Sequence, residues 1–200
     1  AGFGNIPVIA ASLQGVEDNP GFSLTAPLIH RMVQAITLGD LLQKVHLRTR
    51  PYEAVPGLAD RLMRRWTTIA REHFLNGGHS TTWGRRTSYK TIINGIVDDF
   101  EHLDLVDGPR KPRVGVLGEI LVQFHPDANN HIVETIESEG CEAVLPGLMW
   151  FVYNCLSAGD YNYKTFGTDK WSRHVKKAFR ALLMHYQKPV TTALRKSCLL

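Results

Sequence analysis

Apolar residues recur at intervals of three and four along the first half of the chain, the spacing of one face of an α-helix. A first helix is predicted from about Thr25, whose hydroxyl can accept a hydrogen bond from a free amide of the first turn. A second helix follows Pro56 and ends at Asn76, residues 77–86 form a surface loop, and a third helix comes next. The apolar positions are Ile29, Met32, Val33 and Ile36 in the first helix, Leu58, Leu62, Trp66, Ile69 and Ala70 in the second, and Ile92, Ile93, Ile96, Val97, Phe100 and Leu103 in the third.

The pattern changes after Pro112. Two short apolar runs, Arg113 to Gly118 and Glu142 to Leu145, are separated by a helix predicted from about Asn129 to Glu139. Strand, helix and strand in so short a segment are typical of a βαβ unit, whose two strands are parallel. With Ile6 to Ala10 as a further strand, we predict an α/β fold that is rich in helix. Its small parallel sheet has flanking helices in three layers, like half of a flavodoxin or Rossmann fold.

The length of 200 residues fits one domain. Because the chain begins with Ala1 and meets an apolar run without a charged leader, we expect a single α/β domain excised from a larger protein. Its parts are a helical insertion over about 23–108, the βαβ unit over about 112–146 and C-terminal helices over about 169–198, one from Asp169 to Tyr186 and one after Pro189.

Composition and charge narrow the classes of function. The chain is 44% hydrophobic and 21% charged, as folded globular domains are. A net charge of +4 is too small to indicate a nucleic-acid groove or a membrane surface, so neither partner is predicted. The longest apolar stretch, Val144 to Leu156, contains Pro146 and Gly147 and is shorter than the roughly 20 residues that span a bilayer. Three cysteines without a CxxC pair fit a reducing compartment, and a cytoplasmic location is expected.

The loop after Gly118 carries the first group of candidate ligand-binding residues. In parallel α/β sheets ligands bind beyond the carboxyl ends of the strands, and free amides at the start of a helix favour an anion. In the alternative interpretation, Asp127 or Asn129 only caps the helix, and His125 packs on Phe124. The candidates are Glu119, His125, Asn129 and Asn130.

Asp40 is a carboxylate on the apolar stripe of the first helix. A buried carboxylate requires a cation or several hydrogen-bond donors, and Arg48 and Arg50 are the nearest cations in sequence. The turn after the helix is rich in hydrogen-bonding groups. Two interpretations stay open, a buried ion pair that fixes the turn and direct contact with a ligand. The second makes candidates of Asp40, Arg50, Tyr52 and Glu53.

Motifs for bound cofactors are missing from the sequence. Cys141, Cys155 and Cys198 are too widely spaced for a typical iron-sulfur ligand set, and the nine histidines form no HExxH, so no metal site is predicted. Neither GxGxxG nor GxxxxGK[ST] is present. One helix face is basic and is interpreted either as solvated surface or as a contact for an acidic partner or for phosphates. It consists of Arg173, Lys176, Lys177 and Arg180.

Three segments make the chain similar to a known family. GDLL at 39–42, RPYE at 50–53 and KPRVGVLGEILVQFHPDANNHIVETIESEGCEAVLP at 111–146 resemble the large CoA-substrate-specific enzyme activases, described as activators of 2-hydroxyacyl-CoA dehydratase. Those proteins join ATPase modules of the acetate and sugar kinase superfamily to a region similar to the dehydratase subunits. The resemblance runs from FGNIPVI to about Cys155. It implies that the chain belongs to the dehydratase-like region of an ATP-driven, low-potential electron-transfer system that acts on CoA thioesters.

The resemblance also implies partners and cofactors. The partners are the remaining domains of the same protein and a CoA-thioester dehydratase or its substrate. ATP and an iron-sulfur cluster belong to the full-length protein, and none is expected in this segment, because the activase's glycine motifs and cluster cysteines have no counterpart here. No catalytic residue can be assigned, and the isolated segment is expected to be inactive. The alternatives are a non-catalytic structural or docking module and an independent nucleotide-binding α/β protein.

Overall fold

The computed structural model describes residues 25–80, 84–167 and 170–199. The strand predicted over Ile6 to Ala10 lies outside these residues. The first three helices are confirmed: α1 is Ala26–Thr49, α2 is Leu58–Leu75 and α3 is Tyr89–Glu101. Thr25 caps α1 as predicted, since its hydroxyl accepts a hydrogen bond from the Leu28 amide at 3.4 Å.

The segment between α2 and α3 is more ordered than the predicted surface loop. It holds two short strands, β1 (His79–Ser80) and β2 (Arg85–Arg86), which pair antiparallel. Gly77 and Gly78 both have positive φ, a conformation that glycine adopts without steric cost, and they turn the chain out of α2. The helix end at Asn76 is where the sequence predicts it.

The parallel strand pair is confirmed. Strands β3 (Arg113–Gly115) and β4 (Glu142–Val144) run parallel, with Arg113 opposite Glu142. Both strands are shorter than predicted. The connection contains α4 (Ile120–Phe124), a 3-10 turn (Pro126–Ala128) and α5 (Ile132–Ser138). The predicted start of the second of these helices at Asn129 is wrong, because Asn130 and His131 adopt left-handed conformations that an α-helix cannot contain.

The C-terminal part differs most from the sequence prediction. Helix α6 (Leu148–Phe166) takes up much of the apolar stretch to which no helix was assigned. Helix α7 (Lys170–Leu194) is continuous through Pro189, so the predicted break into two helices is wrong. Proline removes one backbone hydrogen bond, but Leu183 and Val190 on either side of it are buried, and this packing holds the helix together.

Helices rather than the sheet form the main core. The buried cluster joins one face each of α1, α2 and α3 to the C-terminal half of α7, whereas β3 is exposed along its length. The fold is therefore α/β in class, with a two-stranded parallel sheet at the side of a helical bundle. The cluster comprises Leu38, Leu41, Leu42, Val45, Ala59, Trp66, Ile69, Ala70, Ile92, Ile93, Ile96, Val97, Phe100, Val190, Ala193, Leu194 and Leu199.

No helix in the described part of the chain has both the length and the apolar character needed to cross a membrane.

Candidate functional site

An apolar cavity of about 550 Å³ lies where α1 meets α4 and the start of α6. Two of the segments that carry the family resemblance meet here, since Gly39 and Asp40 come from one and Ile120 and Phe124 from the other. Helix α1 supplies one wall because its lining residues are spaced by three, four and seven positions and share a face. The lining residues are Ile36, Gly39, Asp40, Gln43, His46, Leu47, Met63, Ile120, Phe124, Val133, Leu145 and Leu148.

Asp40 is half-buried at the edge of this cavity and caps α6. Its two carboxylate oxygens accept hydrogen bonds from the amides of Leu148 and Met149, each at 2.8 Å. Burial raises the pKa of Asp40, and the two amide bonds counteract part of that rise. The sequence predicts that a buried Asp40 needs a cation or several hydrogen-bond donors, and the donors found are two backbone amides, not an arginine. Arg48 is eight residues farther along α1, which is about 12 Å of helix, too far for contact with Asp40.

His46 lines the same cavity and is bound to Asp60 of α2. The distance from His46 Nε2 to Asp60 Oδ1 is 2.6 Å, and the His46 side chain is 12% exposed. Burial lowers the pKa of His46, although the bond to Asp60 acts in the opposite direction. Partial burial would raise the pKa of Asp60, but the hydrogen bond from His46 and the nearby Arg50 outweigh it and lower that pKa. A neutral imidazole that donates to an ionised carboxylate is the expected state at neutral pH.

Arg50 connects the end of α1 to two other helices. Its Nε lies 2.8 Å from Glu137 Oε2 of α5, and its Nη1 lies 3.8 Å from Asp60 Oδ1. Both Arg50 and Glu137 are largely buried. The ion pair at the end of α1 is therefore Arg50 with Glu137, whereas the sequence interpretation placed Asp40 in a pair with Arg48 or Arg50.

A second cavity, of about 430 Å³, runs along β4 and the loop that follows it. Three of its lining residues are cationic and one is acidic, so its local charge is positive. It is lined by Lys44, Leu47, Arg48, Arg113, Glu142, Ala143, Val144, Leu145, Pro146, Gly147, Trp150 and Leu199. Trp150 is 52% exposed and offers an aromatic surface at the rim.

Glu142 is the centre of the hydrogen-bond network beside this second cavity. Its buried carboxylate binds Arg48, accepts a hydrogen bond from the Tyr52 hydroxyl at 2.9 Å and lies 3.2 Å from Arg113 Nε. The Tyr52 hydroxyl in turn accepts a hydrogen bond from the Lys111 amide at 3.0 Å. Each guanidinium has five N–H donors, so both arginines retain donors for an anionic ligand after binding Glu142.

The two cavities adjoin each other. Leu47 and Leu145 line both of them. An apolar compartment therefore lies beside a cationic one, and Leu47 and Leu145 form their common edge. This arrangement can bind a ligand that has an apolar part joined to an anionic part.

The remaining predicted site residues make local contacts. Glu53 caps α2, because its two carboxylate oxygens accept hydrogen bonds from the amides of Gly57 and Ala59 at 2.6 and 2.8 Å. Glu119 caps α4 through the Leu121 amide at 2.8 Å. The capping interpretation named Asp127 or Asn129, so the caps formed by Glu53 and Glu119 were not predicted.

Asn129 makes two structural contacts. Its side-chain amide donates to the Val122 carbonyl at 2.9 Å, and its Oδ1 accepts a hydrogen bond at 3.3 Å from the amide of Ile132, the first residue of α5, which is the role that the capping interpretation gave it. The side chains of His125 and Asn130 are exposed, and neither forms a hydrogen bond within the described ranges. This loop reaches the apolar cavity through Ile120 and Phe124 instead. The anion site proposed at this loop stays a prediction.

The described residues do not fit a metal cluster. Among them, no three His, Cys, Asp or Glu side chains are grouped so that they could hold a metal ion. Cys141, Cys155 and Cys198 are free thiols, the last two exposed.

Sequence reasoning missed Glu142 and its neighbours Lys44 and Trp150. The signal for Glu142 was a lone acid in an apolar strand, directly opposite Arg113 in a parallel pairing.

Comparison with protein-family models, curated proteins and solved structures finds no match to the chain.

Proposed function

We propose that the chain is a 2-hydroxyacyl-CoA dehydratase-like domain of a CoA-substrate-specific enzyme activase, and that it binds a CoA thioester across the two adjoining cavities. The observation that carries the proposal is their common edge at Leu47 and Leu145. A CoA thioester combines an apolar acyl group with anionic phosphates. The apolar cavity would take the acyl end and the cationic cavity a phosphate.

The chemistry of each compartment supports this division. In the apolar cavity, Asp40 already accepts hydrogen bonds from two amides, and His46 is bound to Asp60. An apolar acyl group would therefore leave neither residue without a hydrogen-bond partner. In the cationic cavity, Lys44 has no ion-pair partner within the part of the chain that the structure describes. The combined positive charge of Lys44, Arg48 and Arg113 exceeds the negative charge of Glu142 and would attract a phosphate.

The proposal also covers the three-layer fold, the cofactors of the full-length protein and its location in the cell. The three-layer arrangement would be completed by strands or domains that cover the apolar side chains near β3 and α4, of which Leu117 is 70% and Leu121 is 59% exposed. The ATP site and the iron-sulfur cluster would lie in other parts of the full-length protein, and the whole would be cytoplasmic. In this proposal the chain contributes substrate binding and no ATPase step.

Calorimetric titration with butyryl-CoA, CoA and butyrate tests the proposal. We expect butyryl-CoA to bind more tightly than either part, because it alone occupies both cavities. A Cβ at Gly39 would meet no atom within 4 Å, so the position accepts a side chain, and Gly39→Leu places apolar atoms at the cavity. This variant should lose the preference for butyryl-CoA over CoA and remain folded, whereas the control Gly39→Ala should keep it.

The cationic cavity requires a separate variant. Arg113→Gln should weaken CoA binding by about tenfold, the effect of one charge-assisted hydrogen bond. The matched control is Arg110→Gln, which removes the same charge from an exposed residue that lines neither cavity. Absence of butyryl-CoA binding, or equal effects of the two arginine variants, would contradict the proposal.

A docking module is the second candidate, and the α6–α7 pair favours it. Apolar side chains are exposed here, among them Phe166 at 69%, Val175 at 57% and Leu182 at 50%. Residues 170–194 contain six lysines and arginines and no acid, so the surface suits an acidic partner and would repel a second copy of itself. The partner would be an acidic face of the dehydratase. Two results together would favour this function. The chain would bind the dehydratase and lose that binding in the double variant Lys176→Glu, Lys177→Glu, and it would bind no acyl-CoA.

A further inference from the structure

A third cavity, of about 470 Å³, lies between α3 and the C-terminal end of α7. Its side chains come from two separate elements. Lys90 and Asn94 are one turn apart on α3, and His185, Lys188 and Thr192 share a face of α7 because they are three and four residues apart. Lys196 lies two residues beyond the end of α7.

The lining of this cavity is cationic and lacks acids. Lys90, Lys188 and Lys196 all line it, and no Asp or Glu does. None of these three lysines forms an ion pair with another residue of the described ranges. Arg48 and Arg113, by contrast, line the second cavity together with their ion-pair partner Glu142. Three unmatched ammonium groups at one cavity are therefore available to an anion.

We propose that this cavity binds the diphosphate group of an organic ligand, between Lys90 on one side and Lys188 and Lys196 on the other. Lysines act as compact point charges, which suit tetrahedral phosphate oxygens, whereas a planar carboxylate is better matched by arginine. A single phosphoryl group carries about two negative charges, so two of them match three lysines better than one does.

The cavity is larger than a diphosphate alone needs, and an organic part has room beside Pro189 and Ala193. Asn94 can add a donor from the α3 side. The inference does not rest on the proposed function, since no residue lines both this cavity and either cavity assigned to the thioester.

Titration with inorganic pyrophosphate at fixed ionic strength tests the site. The double variant Lys188→Ala, Lys196→Ala should bind pyrophosphate about 100-fold more weakly, at about tenfold for each charge-assisted contact. The matched control is Lys176→Ala, Lys177→Ala, which removes the same charge from a part of α7 that does not line the cavity. The control should change affinity by less than about threefold, because exposed charges at a distance are screened by salt.

Two further measurements complete the design. Lys90→Ala alone should weaken pyrophosphate by about tenfold, which separates a two-sided cavity from a surface of α7 only. ADP should bind at least as tightly as pyrophosphate, and orthophosphate at least about tenfold more weakly. Equal losses in the two double variants, no effect of Lys90→Ala, or no binding of pyrophosphate would each overturn the inference.

Discussion

A Cβ atom on Gly147 would lie 2.5 Å from the Asp40 carboxyl carbon, so the two residues are in closer contact than any side chain at position 147 would permit. Gly147 has a φ of −69°, which every residue adopts, and the need for glycine comes from this approach alone. Because Gly147 has no side chain to cap α6, Asp40 caps it from α1. Asp40 lines the apolar cavity and Gly147 lines the cationic one.

The Asp40 and Gly147 contact predicts non-additive stabilities. Asp40→Ala should reduce the free energy of unfolding by about 1 to 2 kcal/mol, the effect of losing a helix cap. This is less than the loss expected for stranding a buried arginine, because Asp40 has no arginine partner in the described structure. Gly147→Ala should cost a similar amount because it displaces the Asp40 carboxylate.

A double-mutant cycle measured by urea unfolding checks this coupling. In the Asp40→Ala background, Gly147→Ala should change the free energy of unfolding by less than about 0.5 kcal/mol, since the clash has been removed. Additive losses would show that Gly147 is needed for another reason.

His46 predicts a pH dependence of stability. Its pKa in the folded protein is lowered by burial, so between that value and the ordinary one, roughly 6.5, the unfolded chain binds more protons. Stability therefore rises with pH across this window and is lost as the pH falls. Asp60 and Arg50 face His46, and the lowered pKa of Asp60 acts only at more acidic pH.

Urea unfolding between pH 5 and 7.5 measures this effect. His46→Gln should flatten the slope, since its amide can still donate to Asp60 but cannot take up a proton. His125→Gln, a change at an exposed histidine, should leave the wild-type slope intact. The prediction fails if the two variants have the same profile.

The sequence predicts those elements whose signal is local. Helices α2 and α3 each have one apolar face that is buried in the core, so periodicity finds them. Helix α1 is also found, but its predicted apolar face is wrong: its core residues are Leu38, Leu41, Leu42 and Val45, whereas Ile29 and Met32 are each 43% exposed. Helix α6 has apolar residues on several sides, including the exposed Trp150 and Phe166, and its pattern does not match one buried face. Pro189 indicates a break in α7 when the sequence is taken alone. The packing that keeps α7 continuous comes from helices that are distant in sequence.

The candidate site was predictable in part for the same reason. Asp40 stands out on an apolar stripe, but its donors Leu148 and Met149 are 108 and 109 residues away. The Glu142 carboxylate meets Arg48 across 94 residues and Tyr52 across 90. Such pairings depend on the tertiary fold, and spacing along one helix or strand does not reveal them.

Glu142 predicts an asymmetry between its arginine partners. Glu142→Gln should reduce the free energy of unfolding by about 3 to 5 kcal/mol, because it leaves the buried Arg48 without its counter-charge. Arg113→Gln should cost less than about 1 kcal/mol, since Arg113 is 57% exposed and water can replace its contact. Chemical denaturation gives both values, and similar losses in the two variants would contradict the burial argument.

Pro189 predicts a stabilising substitution. It lies inside α7, where it cannot donate a backbone hydrogen bond to the His185 carbonyl one turn earlier. Pro189→Ala restores that donor and should raise the free energy of unfolding by about 1 to 3 kcal/mol, with a higher melting temperature. Thr191→Pro, at an exposed position two residues farther along α7, is the control and should lower it, because Thr191 has an ordinary helical amide. A loss of stability in Pro189→Ala would contradict this prediction. It would show that the proline ring contributes packing or a bend that is worth more to α7 than the missing hydrogen bond.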